Sequence, residues 1–187
     1  QILCPGRKGQ IGTRELNNVL QASINPKASF KREININGTI LRMGDKVMQN
    51  KNNYDIPWTK DSGETGEGVF NGDIGILTAV SGSPAVLQVT YDDKVALYDA
   101  ESAADLELAY AVTVHKSQGN EFNAVIIPLY NNPPQLIYRN LLYTAVTRAK
   151  RLLIIVGSSN TLYRMVENNK KTLRYSALKD FIIREVE

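Results

Sequence analysis

A chain of 187 residues, 43% of them hydrophobic, is long enough to bury the core of one domain with a modest insertion, which argues against an intrinsically disordered protein. Its single cysteine, Cys4, excludes an intrachain disulfide and suits a reducing cytoplasm, and with only one histidine, far away, it forms no zinc-binding pattern. The net charge of +3 is compatible with a phosphate-bearing partner and equally with an ordinary solvated surface, and no apolar run approaches the roughly 18 residues of a membrane span.

The N-terminal unit is predicted to be a strand, a glycine-rich basic loop and a helix. The strand covers residues 1–5, and because the chain starts on it without a methionine, we expect a piece of a larger protein. The loop, residues 6–13, lacks the Gly-x-x-x-x-Gly-Lys-Ser/Thr spacing of an ATPase phosphate loop, so its glycines predict a tight turn. The helix covers Arg14–Ile24, with apolar residues at helical spacing and Thr13 as its N-cap.

The middle of the chain, from about Gly38, changes to short β-like runs separated by turn signals such as Asn71-Gly72 and Asp92-Asp93. The runs cover residues 45–49, 74–80, 86–91 and 94–98. Such closely spaced strands predict a small antiparallel barrel inserted into an α/β unit. Residues 50–69 are predicted to be its longest loop, in which Trp58 either stacks on a nucleic-acid base or covers the open end of the barrel.

The α/β pattern returns at Leu106, where alternating residues predict a strand over 106–112. Residues 125–127 predict the next strand, and the polar turn between these strands, residues 113–121, contains the chain's only histidine. Polar residues between buried strands are where α/β proteins place ligand sites. The remaining predicted elements are a helix, a strand and two further helices, over residues 139–150, 152–156, 161–167 and 176–187.

Two side chains in this C-terminal part are candidates for chemistry. Arg148 lies on the predicted helix one turn after Thr144. An arginine on a rigid helix suits a γ-phosphate site, because the guanidinium is always charged and donates hydrogen bonds in a fork. For one isolated residue the plainer reading is a surface arginine paired to a carboxylate. His115 by itself would likewise be a structural histidine, since no Ser-His-Asp set is readable.

Two motifs resemble those of superfamily 1 helicases. Thr113–Phe122 is similar to motif V and Leu142–Lys150 is similar to motif VI, and an apolar strand follows each. The sequence Val-His-Lys-Ser-Gln-Gly at 114–119, together with residues 6–17 and 69–75, resembles the RecD/TraA-like branch, which includes the exodeoxyribonuclease V alpha subunit. The resemblance covers essentially the whole chain.

The resemblance implies an α/β fold in which a RecA-like second motor domain, of the P-loop NTPase type, is interrupted by a small Src-homology-type β-barrel. The motor domain would comprise residues 1–37 and 105–187, and the barrel would comprise residues 38–104. It also implies a cytoplasmic, ATP-dependent DNA helicase of DNA repair and recombination that moves 5′ to 3′ on single-stranded DNA. Other nuclease or helicase subunits are candidate partners, and a membrane is not.

The helicase reading requires a second motor domain, because this sequence contains neither the Walker A lysine loop nor the acidic Walker B strand. By resemblance, ATP with Mg²⁺ would bind in a cleft shared with an N-terminal RecA-like domain of the same protein. The fragment alone is expected to hold no nucleotide and to be inactive.

The resemblance assigns roles to particular side chains. Arg148 would be the arginine finger, supported by Tyr143 and Thr144. Arg7 and Arg14 are both candidates for the phosphate-contacting residue of motif IV. Residues expected to approach the nucleotide are Gly119 and Glu121. Those expected to contact nucleic acid are Thr113, His115, Lys116, Ser117, Gln118, Phe70 and Asn71.

Two rival readings remain open. In the first, the chain is a non-catalytic nucleic-acid-binding module that binds through the barrel, and changes around Tyr54, Trp58 and Phe70 would destroy a nucleotide-independent activity. In the second, the chain is part of a helicase but its barrel docks partner subunits.

Overall fold

The computed structural model describes residues 1–130 and 132–169. These residues form two β-sheets, a separate two-stranded hairpin and three α-helices. The helices are α1 (Thr13–Ile24), α2 (Arg139–Val146) and α3 (Ser159–Glu167). The strands up to the end of the predicted barrel are β1 (Ile2–Cys4), β2 (Glu33–Ile36), β3 (Thr39–Arg42), β4 (Lys46–Gln49), β5 (Asn53–Lys60), β6 (Thr65–Val69), β7 (Ile74–Ser81), β8 (Val86–Tyr91) and β9 (Lys94–Tyr98). The later strands are β10 (Leu106–Leu108), β11 (Ala111–Thr113), β12 (Phe122–Leu129) and β13 (Ala149–Gly157).

The first sheet is parallel and has the strand order β11-β1-β12-β13. Its core joins alternate residues of β12, such as Val125 and Ile127, to Leu141 and Ala145 of α2 and Met165 of α3. These two helices therefore cover one face of the sheet, while α1 packs at β11. Parallel strands connected through helices are the α/β arrangement predicted for the two ends of the chain.

The second sheet is antiparallel, with the order β10-β4-β7-β8-β9-β5-β6, and it has its own core. Alternate residues such as Leu77, Leu87 and Val89 are fully buried in that core. The predicted runs 74–80, 86–91 and 94–98 are confirmed as strands, and the Asp92-Asp93 turn joins two of them where Tyr91 pairs with Lys94. Short β-like runs separated by turn residues were sufficient signals here.

The prediction of a long loop over residues 50–69 is wrong, because most of that stretch forms the hairpin β5–β6. A Cβ on Gly66 would lie 2.4 Å from the ring of Trp58, so a glycine is required where the indole crosses β6. The Nζ of Lys94 lies 4.5 Å from the centre of the same ring, and the indole packs against the sheet's core. These contacts favour the structural reading of Trp58 over base stacking.

The single strand predicted over residues 106–112 is also wrong, since the chain changes sheets within it. β10 pairs antiparallel with β4, whereas β11 pairs parallel with β1. The side chain of Asn17 satisfies the backbone at this crossing: its Nδ2 donates to the carbonyls of Leu108 and Ala111, each at 2.9 Å, and its Oδ1 accepts from the N–H of Ala111 at 2.8 Å. A side-chain amide thus replaces the missing ladder bonds.

Helix α1 starts at Thr13, one residue earlier than predicted, and Gly12 rather than Thr13 is its N-cap. Its buried face is polar: Thr13, Asn17 and Gln21 are buried at four-residue spacing, while Val19 and Ile24 are 51% and 63% exposed. The apolar spacing in the sequence therefore identifies a helix but does not identify its buried face. That face is set by hydrogen bonds to the rest of the fold.

A buried carboxylate joins α1 to the start of the antiparallel sheet. Asp45 is fully buried, and each of its two carboxylate oxygens accepts two hydrogen bonds. The donors are the side chains of Gln21 (2.5 Å), Asn25 (2.7 Å) and Tyr110 (2.8 Å) and the backbone N–H of Arg42 (2.7 Å). Hydrogen bonds to a charged group are about twice as strong as neutral ones, so this network fixes how the two sheets are connected.

Helix α2 ends at Val146, whereas the helix predicted over residues 139–150 was longer. The chain turns at Thr147 and Arg148 and enters β13, because the carbonyl of Arg148 already accepts a hydrogen bond from the N–H of Phe122 at 2.8 Å. The helix predicted over residues 176–187 lies outside the described residues. Within the described residues, no helix is both long and apolar enough to cross a bilayer.

Cys4 provides a test of the position of β1 at the centre of the parallel sheet. Cys4 is fully buried, and this burial raises the pKa of its thiol to about 12. Because the thiolate is the reacting species, we expect native protein at about pH 8 to resist alkylation by iodoacetamide and to react completely once unfolded. Timed labelling followed by mass spectrometry measures both rates, and fast labelling of the native protein would contradict this placement.

Candidate functional site

The polar turn of residues 113–121 leaves β11 and returns to the start of β12. Gly119 has a φ of +89°, a left-handed conformation that favours glycine. The hydroxyl of buried Thr113 accepts the N–H of Lys116 at 3.3 Å, and that of fully buried Ser117 donates to the carbonyl of Val114 at 2.8 Å. These two hydroxyls brace the turn from inside, so Ser117 does not reach the surface that was expected to contact DNA.

Three of the other polar side chains of this turn face outward, whereas its lysine is only partly exposed. His115, Gln118 and Glu121 are exposed, and the Nε2 of His115 lies 3.4 Å from the hydroxyl of Tyr138. Lys116 is half-buried; its Nζ lies 2.5 Å from the Oε1 of Glu107 and also donates to the Oδ1 of Asn50. The motif V lysine is therefore held between the two sheets.

The predicted nucleic-acid residues of the antiparallel sheet lie beside this turn. The Nδ2 of Asn120 donates to the carbonyl of Gly72 at 3.1 Å, which places the exposed Phe70 and Asn71 next to motif V. The ring of Phe70 meets that of Tyr54 edge to face, with centroids 5.7 Å apart. Both rings remain accessible, at 43% and 65% exposure.

Sequence reasoning missed three contributors to this arrangement, namely Asn50, Glu107 and Asn120. Asn50 and Lys116 are 66 positions apart, and Asn120 and Gly72 are 48 positions apart. Nothing in the local pattern of residue types marks such pairs. Only the folding of the chain brings them together.

Arg148 extends from the turn after α2 toward the end of motif V. Its Nη1 donates to the carbonyl of Asn120 at 3.1 Å, its Nε to the carbonyl of Thr144 at 3.2 Å and its Nη2 to the hydroxyl of Thr147 at 3.3 Å. All three acceptors are uncharged, and among residues 1–130 and 132–169 no carboxylate forms an ion pair with it. Its guanidinium is therefore oriented without being neutralised, unlike a surface arginine in an ion pair.

The other residues expected near the nucleotide differ in their partners. Glu121 forms an ion pair with Lys150 at 3.2 Å, and because both side chains are more than half exposed, this pair contributes little stability. Tyr143 is 69% exposed on α2. In the described part of the chain, no three His, Cys, Asp or Glu side chains come together as a metal site.

The two motif IV candidates lie on either side of the start of α1. Arg7 pairs with the Oε2 of Glu107 at 3.3 Å and is 64% exposed, so Glu107 is shared by Arg7 and Lys116. Arg14 is exposed on the first turn of the helix. The N–H groups of Thr13 and Arg14 already donate to carbonyls of the preceding loop, at 3.2 and 3.3 Å, so the start of the helix offers these donors to no ligand.

Two known sequence families match this chain, one over most of the antiparallel sheet and one over the C-terminal part of the parallel sheet. Residues 16–91 match the SH3 domain of ATP-dependent RecD-like DNA helicases, and residues 108–156 match the UvrD-like helicase C-terminal domain. The chain therefore shares an SH3 domain with RecD-like helicases and a C-terminal domain with UvrD-like helicases. The resemblance seen in motifs V and VI is thereby confirmed, and in this RecD-like chain the SH3 domain precedes the helicase C-terminal domain.

Curated relatives match this RecD-like chain over nearly all of its length. It is 34% identical over 182 residues to the ATP-dependent RecD2 DNA helicase of Deinococcus radiodurans, covering 97% of this chain and 23% of that protein. It is 27% identical over 172 residues to the RecBCD enzyme subunit RecD of Buchnera aphidicola subsp. Schizaphis graminum, covering 90% and 26%. The chain thus spans about a quarter of the length of these relatives.

Solved structures of Pif1 helicases share the fold. A Bacteroides Pif1 helicase in complex with ADP-AlF3 and ssDNA aligns with a TM-score of 0.53 at 20% identity, covering 100% of this chain and 45% of that one. Pif1 from Candida albicans aligns with a TM-score of 0.51 at 13% identity, covering 98% and 49%. The predicted α/β, RecA-like fold with a small inserted β-domain is confirmed.

Proposed function

We propose that this RecD-like chain is the C-terminal motor segment of a cytoplasmic ATP-dependent DNA helicase that moves 5′ to 3′ on single-stranded DNA. Residues 1–37 and 105–187 would form the second RecA-like motor domain, and residues 38–104 would form the inserted barrel. The observation that carries the proposal concerns Arg148. Its guanidinium group lies beside motif V and is oriented by hydrogen bonds to three uncharged acceptors. A guanidinium that is fixed in position and not paired with a carboxylate can stabilise the negative charge that develops on a phosphate during its transfer.

On the nucleotide side, ATP with Mg²⁺ would lie between this chain and an N-terminal RecA-like motor domain of the same protein, and its hydrolysis would supply the energy for movement. Arg148 would donate to the γ-phosphate, with Gly119 and Glu121 along the same edge and exposed Tyr143 beside it. This chain carries no Walker lysine, so we expect no hydrolysis by this segment without the other motor domain.

On the DNA side, the outward residues of motif V and the neighbouring aromatic surface form one continuous candidate path. His115, Lys116 and Gln118 would contact phosphates, while Thr113 and Ser117 hold the turn in shape from inside. Exposed Phe70 and Asn71, adjacent to motif V through Asn120, would add base stacking and a polar contact. Arg7 and Arg14 are both retained as candidates for the phosphate-contacting residue of motif IV on the nucleotide side.

Partner subunits are a further part of the proposal. The Buchnera relative is named as a subunit of the RecBCD enzyme, which supports other nuclease or helicase subunits as partners of the full protein. The second sheet would be the docking element in such an assembly.

The exposed pair Tyr54 and Phe70 favours one second candidate, a non-catalytic module that binds nucleic acid through the barrel alone. Aromatic side chains open to solvent can stack on bases without any nucleotide cycle. The two candidates differ in whether ATP changes DNA affinity.

The test is a titration of single-stranded DNA into the full-length protein, with and without a non-hydrolysable ATP analogue and Mg²⁺. For the helicase, we expect the analogue to change the DNA dissociation constant by roughly 5- to 150-fold, the usual range of coupling between two sites. Arg148→Ala should remove most of that change, whereas Arg151→Ala, an exposed arginine on β13, should retain it. DNA affinity that is independent of the analogue and lost in Phe70→Ala would instead support the barrel module.

A further inference from the structure

Glu107 lies between Lys116, which the helicase reading assigns to the DNA backbone, and Arg7, a candidate phosphate-contacting residue of motif IV. Its Oε1 is 2.5 Å from the Nζ of Lys116 and its Oε2 is 3.3 Å from the Nη2 of Arg7. The carboxylate belongs to β10 of the antiparallel sheet, whereas the cations lie on loops that follow β11 and β1 of the parallel sheet. One carboxylate of the inserted sheet thus forms ion pairs with cations on two loops of the parallel sheet.

The hydrogen-bonding capacity of Lys116 shows why this acid affects binding without blocking it. An ammonium has three donors, and Glu107 and Asn50 accept two of them. The third donor is left for a phosphate. Two acceptors on neighbouring donors of one ammonium lie about 5 Å apart, so a bound phosphate would face the carboxylate at close range.

The charges of this cluster decide its attraction for a nucleic-acid backbone. Arg7, Lys116 and Glu107 together carry a net charge of +1, and the side chains of Lys116 and Glu107 are each 25% exposed. At about 5 Å, two like charges repel enough to change a dissociation constant about fourfold even with the dielectric constant of bulk water. Glu107 therefore weakens the contact between Lys116 and a phosphate, although it also holds Lys116 in position.

We propose that Glu107 is a built-in counter-charge at the single-stranded DNA site, one that fixes Lys116 and Arg7 in place and limits how tightly they hold a backbone phosphate. This inference rests on the proposed function, because it takes Lys116 and Arg7 as phosphate ligands. A motor that moves along a strand must release each phosphate, and a fixed acid beside the binding cations lowers the free energy needed for release. Glu107 would set that affinity as a positioning residue.

The test is Glu107→Gln in the full-length protein, with binding of a fluorescent oligothymidylate measured by anisotropy over a range of salt concentrations. Glutamine keeps the side-chain shape and can still accept hydrogen bonds from Lys116, but it removes the negative charge. We expect about five- to tenfold tighter binding at low salt. The plot of log K against log salt should steepen by about 0.7, the value for one further single-strand phosphate contact.

Two matched variants separate charge from shape. Glu101→Gln makes the same change in net charge on the exposed connection after β9 and should leave the salt slope as in the wild type. Glu107→Asp keeps the charge on a shorter side chain and should bind no more tightly than wild type. Weaker binding by both Glu107 variants would overturn the inference, because it would show a purely structural acid.

Lys116→Ala separates failure of this inference from failure of the DNA site itself. If Lys116→Ala weakens DNA binding while Glu107→Gln changes neither affinity nor slope, the counter-charge is disproved and the DNA site stands. If neither variant alters DNA binding, Lys116 is not a DNA ligand, and both the inference and that part of the proposed function are wrong.

Discussion

Replacing Arg148 with alanine is expected to lower DNA-stimulated ATP hydrolysis by the full-length protein by roughly 10³-fold or more, the usual contribution of an arginine finger. Single-stranded DNA binding without nucleotide should stay near the wild-type level, because Arg148 lies at the opposite end of motif V from His115 and Lys116. The measurements are steady-state turnover and a DNA titration on the same preparation. The residue's partners are carbonyls and a hydroxyl, so its removal leaves no buried charge unpaired.

Two control variants make the Arg148 result specific. Arg148→Lys keeps the positive charge but loses the planar fork, so it should recover little of the lost turnover. Arg151→Ala removes an exposed arginine three residues further along the chain and should keep nearly full turnover. Wild-type turnover by Arg148→Ala would rule out the finger assignment, and equal losses in both alanine variants would indicate a general effect of surface charge.

Asp45→Asn is expected to lower the free energy of unfolding by about 3 kcal/mol. The four donors around Asp45 all point at carboxylate oxygens, so the NH₂ group of asparagine would face donors where an acceptor is needed. Since the site is fully buried, water cannot supply the missing acceptor. Urea denaturation followed by circular dichroism gives the change directly.

The matched control for Asp45 is Asp61→Asn, at the exposed turn between β5 and β6, which should alter stability by no more than about 0.5 kcal/mol. Hydrogen exchange adds a second readout, because loss of the network should increase exchange in α1 more than in β7 and β8. A variant of Asp45 as stable as the wild type would mean that α1 and the inserted sheet are held together by other contacts.

Several features of this protein follow from its sequence alone. The strands over 74–80 and 86–91 are short runs rich in apolar and β-branched residues between turn signals, and such patterns act over a few residues, so they remain readable without the fold. Motifs V and VI are likewise continuous stretches, and they were enough to identify the helicase family. The α/β class and the presence of an inserted β-domain follow from the order of these local patterns.

Other features depended on contacts between distant parts of the chain. The sequence suggested one strand over 106–112, but Asn17, which is 91 positions from Leu108, pairs with the backbone where the chain changes sheets. The buried face of α1 is polar because its side-chain amides meet Asp45 and the buried carbonyls of Leu108 and Ala111, and apolar spacing carries no information about such partners.

In the candidate site, too, some features could be predicted from the sequence and others depended on tertiary contacts. Sequence reasoning identified Arg148, His115 and Lys116 as candidates, because their residue types and spacing are local. It left open whether Arg148 was paired, and it missed Glu107 altogether. The tertiary structure decided both points, since an ion pair depends on which side chains meet across 9 or 100 positions of chain and not on which residues are neighbours in sequence.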